Sequence, residues 1–184
     1  RILVGGNEAL LTWPLGMARF QALQNLGLIA DPRAVPSVLP FLEHEDEGLR
    51  TVAASALGNL GAASGEGPAA PELRAGLVQA LSDGSLTVRG TAAISLSLLT
   101  PPDPAAGDVL LDLLDLEIYA AEREAHPDRF RDPRLVSRNR VQALEALARL
   151  GRPQDRVAIE ALRSDSDIEV SEAAMIALDG FGGD

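Results

Sequence analysis

Three short stretches hold residue types that could do chemistry. In "EHEDE", residues 43–47, four carboxylates surround His44, a donor set that a divalent cation accepts. Consecutive residues on a turn do not converge on one point, however, and Asp46 stands where a helix N-cap would use its carboxylate. A solvated acidic connection accounts for the stretch without an ion. "DSDIE", residues 165–169, opens like a calcium-binding loop but lacks its sixth-position glycine and closing glutamate. Asp167 is better used as another N-cap. The second histidine, His126, lies in "AEREAHPDRFRDPR" (121–134), with no serine or carboxylate spaced to form a nucleophile–base pair. Cysteine is absent, which removes thiolate nucleophiles, thiolate zinc sites and disulfides together. No catalytic residue, metal ligand or cofactor is therefore assigned, and no enzyme is expected.

The chemistry that remains is that of contact. Arg123, Arg129, Arg131 and Arg134 lie beside Tyr119 and Phe130, and arginine with aromatics is what protein interfaces favour. Two readings stay open: a binding element, or a loop whose positive charge the acidic remainder of the chain neutralises. All 16 basic residues are arginine, against 27 acids, for a net charge of -11. Codon bias or a salt-adapted acidic surface would each leave lysine out. The balance argues against unspecific nucleic-acid binding, which relies on neutralising phosphates. The charge is uneven, since residues 123–163 hold 10 of the arginines between two acidic segments. No apolar run approaches the length of a membrane span, and the lack of cysteine suits a reducing, cytoplasmic setting.

These residues need a frame, and the frame repeats. "RFQALQNLG" (19–27), "ASALGNLG" (54–61), "AISLSLLT" (93–100), "LEALARLG" (144–151) and "MIALDGFG" (175–182) share apolar residues three apart, centred on Leu23, Leu57, Leu96, Leu147 and Leu178. Each predicts a helix with one apolar face. Glycine follows in four of the five, at Gly27, Gly61, Gly151 and Gly182, where a left-handed C-cap is expected. Asp46, Ser85 and Asp167 are the expected N-caps, and Asp132-Pro133 starts the fourth helix. Shorter amphipathic stretches alternate with these: "AVPSVLPFL" (34–42), "ELRAGLVQAL" (72–81), "GDVLLDLLDL" (107–116) and "DRVAIEALR" (155–163). Pro36 and Pro40 predict a late start or a bend in the first. "ASGEGPAAPE" (63–72) reads as a flexible connection.

"LGLIADPRAVPSVLPFL", followed by "DEGLRTVAASALGNLG", resembles the HEAT-like repeat of the phycobilisome-lyase type. The likeness spans roughly 14–182, is clearest in the first three hairpins, and is absent from 1–13, 62–71 and 117–131. It implies an all-α fold, a right-handed superhelix of about five stacked helical hairpins. The expected organisation is a single domain, 1–184, with repeats at roughly 8–42, 46–81, 85–116, 132–163 and 167–182 and an insertion at 117–131. The resemblance also implies a ladder in which an aspartate before the second helix and an arginine inside it tie neighbouring repeats. Asp46 with Arg50 fits; Ser85 with Arg89 keeps the arginine; Asp167 with Ser171 should break it.

In such a stack the second helices line the concave side. Offsets from the apolar triplets place outward Gln21 and Asn25; Val52, Ser55 and Asn59; Thr91, Ile94 and Leu98; Gln142, Glu145 and Arg149; and Ala173, Ile176 and Asp179. Arg138 and Arg149 flank a small apolar centre, which suits an extended or helical partner segment carrying acids. The plainer reading is that Ile94, Leu98 and Ile176 pack on adjacent repeats, because a helix in such a stack buries two sides. The expected function is a non-enzymatic protein-interaction scaffold. Its candidate contacts are Tyr119, Arg123, Arg129, Phe130, Arg131, Arg134, Arg138, Gln142 and Arg149, with Thr91, Ile94 and Leu98. The resemblance offers a second reading, an accessory subunit of a bilin-lyase-like enzyme. A third, a nucleic-acid-binding HEAT protein like the alkylpurine DNA glycosylases, needs a basic concave face with aromatics. A chain at -11 with one tryptophan, Trp13, fits that poorly.

Overall fold

The computed structural model describes residues 2–11, 16–63 and 69–181. Trp13 and Gly182 lie outside them, as does the 64–68 part of the connection at 63–72. Helices and short 3-10 turns make up the fold, and there is no strand among the described residues. Two compact units divide the chain, residues 1–103 and 104–184.

In the first unit, α1 (Ile2–Leu11) packs on α2 (Gly16–Ile29). The four-residue α3 (Val35–Val38) sits between 3-10 turns at Pro32–Ala34 and Leu39–Glu43, so Pro36 and Pro40 break the segment as their missing donors require. Then come α4 (Glu47–Ala62), α5 (Pro71–Ala80) and α6 (Leu86–Ser97). Helix α4 lies between α2 and α6 in one layer, while α3, the 39–43 turn and α5 cover it from the other. Asp46 accepts the Leu49 N–H at 3.0 Å, and Ser85 accepts that of Val88 at 3.5 Å, so both expected caps are in place. Leu23, Leu57 and Leu96 are fully buried.

Three sequence expectations change here, all for one reason: α4 is clasped on both sides. Gly27 and Gly61 fall within α2 and α4 and do not cap them. A Cβ on Gly27 would come 2.9 Å from the Ala56 backbone, and one on Gly61 would strike Leu99. These glycines let helices approach closely. Val52, expected to face outward, is buried, whereas Ser55 and Asn59 beside it are exposed. The Ser95 hydroxyl donates to the Ala54 carbonyl at 2.9 Å across the same seam.

The ladder is also differently wired. Arg50 reaches forward, donating to Asp83 at 2.7 and 3.1 Å and to the carbonyls of His44 and Glu45 at 2.9 and 3.0 Å. Asp46 keeps its cap. Burial alone would raise the Asp83 pKa, but Arg50 and the Ser85 N–H hold it below the ordinary value. Within "EHEDE", Glu43 accepts from Gln79, Glu47 accepts from Ser85, and His44 stacks on Phe41.

The second unit contains α7 (Gly107–Asp112), α8 (Leu116–Ala125), α9 (Pro133–Leu150), α10 (Arg156–Ala161) and α11 (Ile168–Gly180). Helices α9 and α11 pack on one another, with α7 behind α9 and α10 behind α11. Much of the 117–131 insertion is therefore helix, started by Asp115, which accepts the Glu117 N–H at 2.9 Å. Gly151 ends α9 at φ 60°, the left-handed cap its sequence predicts. Leu147 is fully buried, and Leu178 is half-buried.

Candidate functional site

Helix α9 is built to show a charged face. Asp132 accepts the Arg134 N–H at 3.0 Å, with Pro133 in the first turn. Val136, Ala143, Leu144 and Leu147 then turn inward at helical spacing, which leaves Arg134, Arg138, Gln142, Glu145 and Arg149 exposed. Helix α11 repeats the scheme. Asp167 accepts the Glu169 N–H at 3.0 Å, Val170, Ala174 and Ala177 are buried, and Glu169, Glu172 and Ile176 are exposed.

Between the two helices runs an open groove of about 960 Å³. Arg134 and Arg138 stand on its α9 side and Glu169 and Glu172 on its α11 side; Leu135, Val141, Ala173 and Ile176 supply apolar lining. Ile176 is 72% exposed, a large apolar side chain that the described residues leave uncovered. Asp132 and Glu145 also line it on the α9 side. Arg134, Arg138, Glu169 and Glu172 make no ion pair among the described residues, whereas Glu145 meets Arg149 at 3.4 Å.

What holds the two walls together lies behind the groove. Arg140 is buried; its Nε donates to the Leu114 carbonyl at 3.0 Å, and its terminal nitrogens donate to Asp165 at 3.3 and 2.6 Å. Asp165 also accepts the Asp167 N–H at 2.9 Å, so one carboxylate ties α9 to the cap of α11. The Arg140 guanidinium, against some opposition from burial, holds the Asp165 carboxyl below its ordinary pKa. The Ser137 hydroxyl donates to Asp167 in the same place. Thus "DSDIE" is a joint between helices. Ser171, at the rung position, donates instead to the Arg163 carbonyl at 2.7 Å.

The sequence-predicted contact residues fall into three places. Arg134, Arg138 and Gln142 line the groove, and Glu145 beside Arg149 continues it. Around the insertion, Tyr119 and Phe130 are core residues, a correction to their expected surface role. Their rings meet edge to face at 5.1 Å, and the Tyr119 hydroxyl donates to the Leu113 carbonyl at 3.0 Å. The amphipathic turn of α8 carries Tyr119 inward, and Phe130, at φ 50°, folds back over it. Arg131 pairs with Asp128 at 2.6 Å, Arg129 approaches Glu122 at 3.7 Å, and Arg123 donates to the Phe130 carbonyl at 3.5 Å. Much of the arginine display is spent on holding its own segment. Thr91 and Ile94 of α6, and Leu98 just past its end, belong to the other unit and are half-buried.

Sequence reasoning missed Glu169, Glu172, Arg140 and Asp165. A usable signal was present for Arg140: Arg50, Arg89 and Arg140 each precede the central leucine of their repeat by seven residues.

Paired helices in two layers, tied by arginine rungs, define a HEAT-like repeat architecture, and the family model described as HEAT repeats matches residues 8–75. Among solved structures, a chain in the complex of CpcE and CpcF of phycocyanin lyase from Nostoc sp. PCC7120 is 25% identical, with a TM-score of 0.71. The match covers 98% of this chain and 65% of that one, so this chain spans less than two thirds of its length. A designed armadillo repeat protein in complex with peptide (KR)4 is 17% identical over 97% of this chain and 81% of its own, at a TM-score of 0.55. A computationally designed armadillo repeat protein for modular peptide recognition is 19% identical over 97% and 82%, at 0.54. At these last identities the likeness is one of fold. Curated proteins give no match. The expected all-α, HEAT- and armadillo-like solenoid class is what the chain adopts, and no described helix is long and apolar enough to cross a membrane.

Proposed function

We propose that this chain is a non-enzymatic interaction scaffold that docks a segment of a partner protein in the groove between α9 and α11. The observation that carries the proposal is the exposed apolar lining around Ile176, bordered by Arg134, Arg138, Glu169 and Glu172, which make no ion pair among the described residues. Exposed apolar area rimmed by charge is the usual anatomy of a docking surface. Arg134 and Arg138 suit acids on the partner, as the sequence led one to expect; Gln142 and Arg149 extend the same edge. Thr91, Ile94 and Leu98 offer a lesser surface in the other unit. A cytoplasmic setting suits a chain without cysteine. The test compares partners retained from native lysate by the wild type, by Ile176→Arg with Arg138→Glu, and by Arg131→Ala. Loss only in the groove variant supports the proposal, and unchanged retention by that variant overturns it.

The likeness to a chain of the phycocyanin lyase complex favours a second reading, an accessory subunit of a lyase-like enzyme. On that reading the groove would receive a sister subunit. A shift of bilin absorbance on mixing with this chain supports a place in such an assembly, and an unaltered spectrum counts against it.

A further inference from the structure

We infer that the groove between α9 and α11 selects a partner α-helix whose apolar stripe carries acids along one flank and bases along the other. The inference rests on the docking role proposed above and specifies the chemistry of the occupant. Ser137 touches Asp167 and Arg140 touches Asp165, so the N-terminal ends of α9 and α11 lie abreast. Arg138 follows Ser137 directly and Glu169 lies two residues past Asp167, so the contact between Ser137 and Asp167 sets Arg138 and Glu169 near one level on opposite walls. Arg134 and Arg138 are four apart and Glu169 and Glu172 three apart, so each wall shows its two charges one turn from each other.

The α9 wall also holds Asp132 and Glu145, but Asp132 caps its own helix and Glu145 is paired with Arg149, so the charges it leaves unpaired are those of Arg134 and Arg138. The α11 wall is negative, and Leu135, Val141, Ala173 and Ile176 provide the apolar lining. An acidic segment would satisfy Arg134 and Arg138 but meet repulsion from Glu169 and Glu172; a basic segment would do the reverse. An extended strand has two faces and cannot address both walls and an apolar floor together. A helix presents all three directions at once, an apolar stripe with two flanks, much as the outer positions of a coiled coil choose partners by charge. Turning such a helix end for end exchanges its flanks, so the walls also fix the direction in which it lies.

The experiment uses the full chain and labelled synthetic amphipathic helices of about 18 residues, read by fluorescence anisotropy. All share one leucine stripe; the flanks are Glu on one side and Lys on the other, Lys on both, or Glu on both. The two-signed peptide should bind about five- to tenfold tighter than either one-signed peptide at low salt, with the gap closing near ~0.5 M. In Arg134→Glu/Arg138→Glu, whose walls are both acidic, preference should pass to the all-Lys peptide. Ile176→Arg should weaken all three. Equal or tighter binding of a one-signed peptide by the wild type overturns the two-flank inference while groove docking stands. Absence of binding by every peptide, or binding indifferent to Ile176→Arg, overturns both.

Discussion

Withdrawing Asp165 tests how the walls of the groove are joined. The Arg140–Asp165 pair is 2.6 Å long, with side-chain exposures of only 4% and 12%. Removing one member of a buried pair strands the other charge, which costs about 3–5 kcal/mol. Asp165→Ala also frees the Asp167 N–H, a loss of roughly 1 kcal/mol within that sum. Asp165→Asn keeps an acceptor for that N–H and for the guanidinium, so it should cost roughly 1–2 kcal/mol less than the alanine change. In an Arg140→Met background no charge is left behind, and Asp165→Ala should then cost only about 1 kcal/mol, a coupling of roughly 2–4 kcal/mol. Urea titration by far-UV ellipticity measures each corner of the cycle, and amide exchange in α9 and α11 locates the effect. Asp165→Ala costing the same in both backgrounds would refute the claim that Arg140 depends on this carboxylate. The pair also has a pH signature. Its depressed carboxyl pKa means that the stabilisation is present above the unfolded carboxylate value, about 3.9, and is lost as pH falls through the lower folded value.

Leu57→Ala, at a fully buried site, should cost about 2–5 kcal/mol, and Ser55→Ala on the exposed side less than roughly 0.5 kcal/mol; equal losses in denaturant would mean that α4 is turned the wrong way. Burial pushes Tyr119 up to about 12, opposed by its hydrogen bonding with Asn139. As the single tyrosine of the chain, it should titrate there in a 295 nm absorbance scan, and ionisation near 10 would place its ring in solvent.

The starts of the helices were legible because capping is local: Asp46, Ser85, Asp132 and Asp167 each act within three residues of themselves. The meaning of a glycine was not. Gly151 caps and Gly27 packs, and the difference is set by Ala56, which is distant along the chain. Val52 was misplaced for a related reason, since an offset from one apolar triplet cannot show that α4 has neighbours on both sides. In the groove, Arg134, Arg138 and Gln142 were readable from the face of a single helix. Glu169 and Glu172 read as part of an acidic tail, and only the packing of α11 on α9 turns them into a wall. Asp165 needed the same knowledge, because its partner Arg140 lies across that contact.

Helix α4 is gripped from two directions by its own layer, whereas α11 has a layer neighbour on one side only among the described residues. Helix α11 is also fastened through polar joints, Asp165 to Arg140 and Asp167 to Ser137, so this wall of the groove can yield where those joints yield. A visitor to the groove would lean on both walls at once, stiffening the joint between them on arrival. Part of the binding energy is spent on that stiffening, which favours a clasp that can be let go.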